Sequence, residues 1–499
     1  PRVSRGRTES LASGYGECRS HDVDAERMAA LKLTLGRALL VAGRYAEART
    51  HAAAAERSGP AATVLRAQID MAAGDPARAR AGARAALDVP NLPPASACEA
   101  WEVLGQADRL HDVEAAERSF TAALELADRH GLAAWRARAL HELGTIDLLD
   151  TMRTDRLERA RRAAVEAGAP ATLAVVDFHL AEALVARGRT AAGREAALRA
   201  IDVARRVGSG VLAPALVTLA RSHAHDLDAD AMEDALGRAR AAAPDDAGVE
   251  AGEWGRARAM LALHRGEPAA ARAALDRAVA LLRGLPGHHF PHWGLWALLH
   301  AVADGDPATA AEAAAAPGSG TRFNRCLLHV AAAVRLGPSD PAAADTAFAA
   351  AVTDLGGYVD GEWLLHLTGW LVAPTAHRDG WGDPLGWLQA AVRWFADHDR
   401  PQLATACRTL LRDAGGQVPR RGRGLSPVPD ELLVSGVSSR EVDVLRLLGR
   451  RLTNRGIAEA LVLSPRTVEK HVASLLRKTG AADRAALTTL AAGLPTVPG

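Results

Sequence analysis

The sequence predicts an all-α protein in which a long series of stacked helical hairpins precedes a four-helix module. Hydrophobic residues make up 48% of the 499 residues but aromatic residues only 4%, and alanine supplies much of the apolar content. This composition suits helices packed on small side chains, whereas a β-sandwich needs β-branched and aromatic residues. Turn signals also recur along most of the chain, and a capped, basic segment lies near its end.

Residues 1–27 are predicted to be an N-terminal tail without a targeting signal. The first ten residues are polar and basic and lack the apolar run of a signal peptide. The longest uncharged window, 284–303, contains four histidines and two prolines, so it makes a poor membrane span. The four cysteines are widely spaced, which fits a reducing cytoplasm. We therefore expect a cytoplasmic protein without a membrane partner.

Residues 28–412 contain a recurring sequence pattern in which an apolar helix, a short turn and an alanine-rich helix follow one another. Glycine closes one helix and proline often opens the next. The intervals are roughly 31 to 39 residues or about twice that, with weaker turns near Thr154 and Asp228 that halve the long gaps. The strong turns begin at Gly43, Gly74, His111, Gly188, Gly266 and Gly305.

This pattern resembles the tetratricopeptide class, whose repeat is about 34 residues long. A single hairpin cannot bury its apolar face, so neighbouring hairpins stack and create a concave surface. The region is therefore predicted to be a TPR-like α-solenoid that binds a protein or small-molecule effector. The alternative is a purely structural spacer.

Seven of the ten tryptophans lie in the last third of this region, and two interpretations are open. They could line an aromatic pocket for a small ligand, or they could fill gaps between alanine-rich helices. The spacing of seven residues in two pairs places those rings on one helical face and favours core packing. These tryptophans are Trp293, Trp296, Trp363, Trp370, Trp381, Trp387 and Trp394.

Residues 413–435 are predicted to be a linker, and residues 436–493 a separate four-helix domain. Glycine, proline and arginine dominate the linker, and no apolar periodicity remains there. In the domain, Ser438 and Glu441 have the spacing of a capping box. The second helix is predicted from Asn454 to Leu461, and Pro465 begins the third, which Gly480 closes. The caps predicted for helices two to four are Thr453, Ser464 and Asp483.

The third helix of this domain is predicted to expose a polar, mostly basic face. Residues 437–493 contain ten Lys and Arg against five Asp and Glu, whereas the whole chain has a net charge of only +1. A short helix followed by a longer, exposed one is the arrangement of a DNA-reading helix-turn-helix, and local positive charge suits a phosphate backbone. The exposed face comprises Arg466, Glu469, Lys470, Ala473 and Arg477.

The domain resembles the LuxR-type helix-turn-helix. The resemblance implies a four-helix DNA-binding domain that dimerises through its last helix. It also implies that Glu469, Lys470 and Ala473 face bases of double-stranded DNA. The segments that carry it are Val437–Glu441, Leu452–Ala458, Leu463–Val472 and Arg477–Lys478. The positions that it places near phosphates are Thr453, Asn454, Ser464, Thr467, His471 and Lys478.

Two residues depart from the pattern of that family. Arg451 stands where the family usually has glycine, and it is strained by about 1 kcal/mol if the backbone there needs a positive φ. Gly456 stands where the family usually has glutamate, so the cap at Thr453 lacks its reciprocal carboxylate. Both departures lower the expected stability of the domain and leave the predicted DNA-contacting groups in place.

A solenoid followed by such a domain resembles the large ATP-binding regulators of the same family, the MalT-like group. Those proteins carry a nucleotide-binding domain with a Gly-Lys phosphate loop, and here no glycine precedes any lysine. Either that domain is lost or it lies upstream of Pro1. No catalytic motif is present, and the histidine cluster at 288–292 lacks nearby carboxylate or cysteine ligands. We therefore expect no enzyme activity, cofactor or metal.

The sequence predicts a transcriptional regulator whose solenoid controls a dimeric DNA-binding domain. Two alternatives are a protein-interaction scaffold and the C-terminal part of a regulatory STAND-type ATPase.

Overall fold

The computed structural model describes most of the chain, and its secondary structure is helical throughout those residues, with no strand. Most of the predicted tail and much of the predicted linker lie outside the described residues, as does the turn at Gly305. The described residues are 27–40, 43–55, 59–109, 111–283, 291–303, 307–398, 400–416, 428–429, 432, 435–461, 463–492 and 494.

The described residues form two compact units, which divide between Leu410 and Leu411, except that residues 396–398 group with the smaller unit. The larger unit is a series of antiparallel helical hairpins, and this confirms the predicted α-solenoid. Its first half contains α1 (27–40), α2 (Tyr45–Ala53), α3 (Pro60–Ala72), α4 (Pro76–Leu87), α5 (Pro94–Asp108), α6 (Val113–Arg129), α7 (Ala133–Asp150), α8 (Asp155–Glu166), α9 (Pro170–Ala186), α10 (Thr190–Val207) and α11 (Leu212–His225).

The second half of the larger unit continues the hairpins with one irregular helix, in which a π-helical stretch, Glu253–Arg258, joins α13 to α14. The last helix of the series, α22, extends beyond the division between the units. The helices are α12 (Ala229–Ala242), α13 (Ala247–Gly252), α14 (Ala259–Arg265), α15 (Pro268–Leu282), α16 (Trp293–Ala303), α17 (Pro307–Ala315), α18 (Arg322–Leu336), α19 (Pro341–Leu355), α20 (Glu362–Asp379), α21 (Pro384–Asp397) and α22 (Pro401–Asp413).

The predicted turn residues lie between consecutive helices. Gly74 adopts a φ of 83° after α3, and Pro76 is the first residue of α4. Between them, the Asp75 carboxylate accepts the backbone N–H of Arg78 at 3.0 Å and caps the helix. Glycine at a left-handed position and proline at N1 thus produce the sharp reversals that the repeat requires.

Small side chains allow the paired helices to approach closely. A Cβ atom on Gly144 of α7 would lie 2.6 Å from Leu157 of α8, so only glycine fits there.

Four of the seven tryptophans are buried, namely Trp293, Trp296, Trp370 and Trp381. This burial agrees with the interpretation that these tryptophans fill gaps between alanine-rich helices.

The later hairpins of the larger unit turn back onto its middle helices. Arg322 at the start of α18 pairs with Asp150 at the end of α7 over 2.8 Å. The indole N–H of Trp363 in α20 donates to the carbonyl oxygen of Ala186 at the end of α9, over 2.7 Å. These contacts join residues more than 170 positions apart. The larger unit also contains a cavity of about 450 Å³.

The smaller unit contains four helices: α23 (Ser439–Gly449), α24 (Asn454–Leu461), α25 (Pro465–Thr479) and α26 (Arg484–Ala492). α23 packs most extensively against α26, because Gly449 brings the helices so close that a Cβ there would lie 2.8 Å from Ala491. Among the described residues, its core draws only on those between Val428 and Leu494. The fully buried members are Val442, Val444, Leu445, Ile457, Val468, Leu475 and Leu487.

Candidate nucleic-acid interface

The candidate recognition helix is α25, and its ends are those that the sequence predicts. Ser464 is the N-cap, and its hydroxyl oxygen accepts the backbone N–H of Thr467 at 3.1 Å. Pro465 is the first helical residue, and Gly480 ends the helix with a φ of 69°. A cap at one end and a left-handed glycine at the other define the length of α25 at 15 residues.

One face of α25 is buried in the domain and the opposite face is exposed. Val468 and Leu475 are fully buried, seven residues apart, and they anchor the helix to the core. The polar face that the sequence predicts to be exposed lies opposite and is exposed at every position. Its members are Arg466, Glu469, Lys470, Ala473 and Arg477.

Two cations on this face are available to a ligand. Arg466 and Lys470 make no hydrogen bond or ion pair with any residue that the structure describes, whereas Arg477 donates a hydrogen bond to the hydroxyl of Ser474 at 3.3 Å. A cation that is not already paired within its own domain is free to replace counterions on DNA phosphates or to donate to base edges.

The cap of α24 lies on a strained turn that an arginine of α26 holds in place. Thr453 accepts the backbone N–H of Gly456 at 3.2 Å, as predicted. Arg451 has a φ of 60°, so the strain foreseen for a residue other than glycine is present. Arg484 donates to the carbonyl oxygen of Leu452 at 2.6 Å and to the side-chain oxygen of Asn454 at 2.5 Å.

The contact with Arg484 gives Asn454 an internal role that sequence reasoning missed. The family resemblance places its carboxamide near a phosphate, and in the structure the carboxamide oxygen also accepts a hydrogen bond from Arg484 of α26. The amide nitrogen remains available as a donor. Asn454 and Arg484 are 30 residues apart, so no local pattern pointed to the pair.

Lys478 likewise has a partner inside the domain. Its ammonium group donates to the Glu441 carboxylate at 2.7 Å, and the same carboxylate accepts the backbone N–H of Ser438 at 2.7 Å. Burial acts to raise the pKa of Glu441, but hydrogen bonds from Lys478, Ser474 and Ser438 outweigh it and lower the pKa to about 2. The capping-box glutamate therefore joins the start of α23 to the end of α25.

The remaining predicted phosphate neighbours, Thr467 and His471, are partly exposed on the first half of α25. Thr453 and Ser464 are exposed at the N-terminal caps of α24 and α25. Hydroxyls and backbone N–H groups at a helix N-terminus are suited to phosphate binding. The structure thus brings the caps of both helices and the basic face of α25 into one small unit.

Neither a metal site nor a membrane-spanning helix is found in the described part of the chain. No group of three or more His, Cys, Asp or Glu side chains there could hold a metal ion. His292 is the one described histidine of the 288–292 cluster, and its ring binds the carbonyl oxygen of Gly255 at 2.7 Å. None of the described helices is both long and apolar enough to cross a bilayer.

Comparison with known proteins identifies the smaller unit. Residues 435–491 match the family model described as bacterial regulatory proteins, luxR family. No curated protein matches the chain. The matched range contains all four helices α23–α26 and the exposed basic face of α25. Residues 435–491 are therefore a LuxR-family helix-turn-helix domain, and the chain that carries them is a DNA-binding transcriptional regulator.

Proposed function

We propose that this protein binds specific duplex DNA through α25 and that its solenoid controls that binding in response to an effector. The observation that carries the proposal is the exposed cationic face of α25, whose ends are capped and whose opposite face is anchored in the core. A rigid helix of this kind fits the major groove and presents its side chains to base edges.

The residues of the domain divide into two proposed roles. Glu469, Lys470 and Ala473 read bases from the middle of the helix. A second set contacts phosphates and fixes the register of the helix on the duplex. That set comprises Thr453, Asn454, Ser464, Arg466, Thr467, His471, Arg477 and Lys478, with Asn454 and Lys478 contributing the donor capacity that their internal contacts leave.

The proposed active form is a homodimer that associates through α26. Ala485, Thr489 and Ala492 are exposed on this helix, and such small side chains permit close approach of a second copy. A bacterial regulator that binds chromosomal DNA acts in the cytoplasm, which is the compartment we propose. The likeness to large ATP-binding regulators remains a prediction from the sequence.

The test begins with selection of duplexes from a random pool by the full-length protein. We expect an enriched motif, and Lys470→Ala should weaken binding to the selected duplex by about 1–3 kcal/mol. Binding to a scrambled duplex should fall much less, because non-specific binding depends on many phosphate contacts. Gel shifts over a salt series measure both affinities.

Arg335→Ala is the matched control, since Arg335 is an exposed cation of the solenoid and should leave both affinities unchanged. Equal losses on selected and scrambled duplexes would remove the base-reading role of Lys470. A selection that enriches no motif would refute sequence-specific binding altogether.

A further inference from the structure

The cavity inside the solenoid unit has the size and walls of a small-molecule site. Its volume of about 450 Å³ lies within the roughly 300–1,000 Å³ that such sites occupy. Leu148 of α7, Phe178 of α9, Val217 of α11 and Phe323 of α18 supply apolar walls. None of the seven tryptophans discussed above lines it. The residues that form it are spread along the chain from Arg109 to Phe323.

Two arginines share a single carboxylate in the wall of this cavity. Arg256 pairs with Glu182 Oε2, and Thr218 donates its hydroxyl proton to Glu182 Oε1. Arg221 lies with Nη1 3.7 Å from the same Oε2 atom that Arg256 uses. Together, the two guanidinium groups and the one carboxylate carry a formal charge of +1.

Arg221 is buried without a hydrogen bond. It is 5% exposed, it donates to no residue that the structure describes, and its Nε atom is enclosed without a partner. Burial lowers the pKa of Arg221 and of Arg256 to about 10, so both remain cationic at neutral pH. A buried cation with unused donors is costly unless an anion pairs with it.

Three further ionisable groups of the cavity wall, Arg109, His179 and Asp246, do little to compensate this charge. Arg109 is already paired with Glu142 over 2.8 Å. The ring of His179 is hydrogen-bonded to His141, and burial holds its pKa well below the usual range, so it is neutral. Asp246 is exposed, and its carboxylate caps α13. The uncompensated positive charge of the cavity wall is therefore that of the Arg221 guanidinium.

The irregular helix that joins α13 to α14 contributes Arg256 to the cavity wall. Arg256 belongs to the π-helical stretch Glu253–Arg258, whereas Glu253 in that stretch pairs with Arg240 at 2.8 Å and with Arg258 at 2.7 Å. A π-helical turn changes which residues share a helix face, and such turns are frequent at functional sites. Here it accompanies an arginine that lines the cavity.

We propose that this cavity binds a small amphipathic carboxylate, with its carboxylate on Arg221 and Arg256 and its apolar body against Phe178 and Val217. A guanidinium group offers two parallel N–H donors that match a carboxylate. The proposal rests on the regulatory role proposed for the solenoid and supplies the chemical class of its effector. The apolar walls favour a ligand with one charged end over a sugar or a polyanion.

The test is calorimetric titration of the full-length protein with three matched pairs of carboxylate and neutral amide. The pairs are 1-naphthoate with 1-naphthamide, octanoate with octanamide, and phenylacetate with phenylacetamide. We expect at least one carboxylate to bind roughly tenfold or more tightly than its amide. Arg221→Gln should abolish that preference, and Arg335→Gln, at an exposed solenoid position, should preserve it.

Glu182→Gln distinguishes binding from a merely structural effect. Removing the carboxylate leaves both arginines without an internal counter-charge, so carboxylate binding should tighten severalfold while amide binding stays the same. If Glu182 had a purely structural role, Glu182→Gln would weaken the binding of the carboxylate and of the amide alike. The wild-type preference itself requires no variant, so it remains decisive if Arg221→Gln does not fold.

Equal affinity for carboxylate and amide in all three pairs would overturn the proposal, as would a preference that survives Arg221→Gln. Weaker carboxylate binding by folded Glu182→Gln would also overturn it. These measurements do not involve DNA, so their failure is distinguishable from failure of the proposed DNA binding.

Discussion

At the scale of single residues, Arg451 shows how a helix-turn-helix tolerates a poor turn residue. Its φ of 60° lies in the left-handed region, which costs a residue with a Cβ atom about 1–2 kcal/mol. Arg484 compensates from α26 by donating to Leu452, the next residue of the turn. The strain is therefore held by a contact that only the folded domain provides.

Replacement of Arg451 by glycine should stabilise the DNA-binding domain. Glycine removes the steric cost but gives the unfolded chain more freedom, so we expect a net gain of about 0.5–1 kcal/mol. Arg450→Gly is the matched control, because Arg450 has a φ of −80° and should lose about the same amount. Urea unfolding followed by far-ultraviolet circular dichroism measures both, and shifts of the same sign would contradict this account.

At the scale of elements, the Glu441–Lys478 pair connects the first and third helices of the domain. The Glu441 side chain is 5% exposed and that of Lys478 is 29% exposed. The pair therefore stabilises the packing of α23 against α25, and Lys478→Ala leaves a buried carboxylate with one donor fewer. Lys478 is consequently a poor probe of phosphate contacts, because its removal changes the fold and the DNA surface together.

The stability of this domain should fall in acid because of Glu441. The folded-state pKa of about 2 lies below the ordinary value of 4.5, so the stabilisation is present above about pH 4.5 and is lost as the pH falls towards 2. Glu441→Gln should flatten that dependence and cost about 1–3 kcal/mol at pH 7. Urea unfolding at a series of pH values measures it.

Glu459→Gln is the control for this pH series, because the side chain of Glu459 is 72% exposed and its ion pair with Arg455 is 3.4 Å long. It should leave the slope against pH as in the wild type. A Glu441→Gln slope indistinguishable from that of Glu459→Gln would show that Lys478 and Ser438 do not hold the carboxylate in its charged form.

At the scale of the whole molecule, the two units have separate cores and separate spectroscopic signals. All ten tryptophans precede residue 435, so intrinsic fluorescence reports on the solenoid unit alone. As far as the structure describes the chain, the core of the smaller unit uses only residues between Val428 and Leu494. Each unit is therefore expected to unfold as its own cooperative transition.

Guanidinium unfolding of the full chain, followed by tryptophan fluorescence and by circular dichroism, tests this independence. Arg451→Gly should move a transition seen by circular dichroism and leave the midpoint seen by fluorescence unchanged. The physical reason is that the substitution alters backbone strain within one core only. An equal shift of both signals would show that the units unfold together.

Sequence reasoning succeeded where the determining interactions are local. The caps at Ser438, Ser464 and Asp483 each bond a backbone N–H three residues later, so a four-residue window contains both partners. The exposed face of α25 follows from helical periodicity in the same way. Alanine-rich composition and recurring turns likewise predicted the solenoid, because each hairpin is a short-range unit.

The sequence by itself determined the all-α class, the caps of the DNA-binding domain and the exposed face of its third helix. Only the tertiary structure decided the partners of Lys478 and Asn454 and the meeting of Glu182, Arg221 and Arg256 in one cavity. The reason is separation along the chain: residues 30 to 74 positions apart meet only after helices stack, and no local pattern records that encounter.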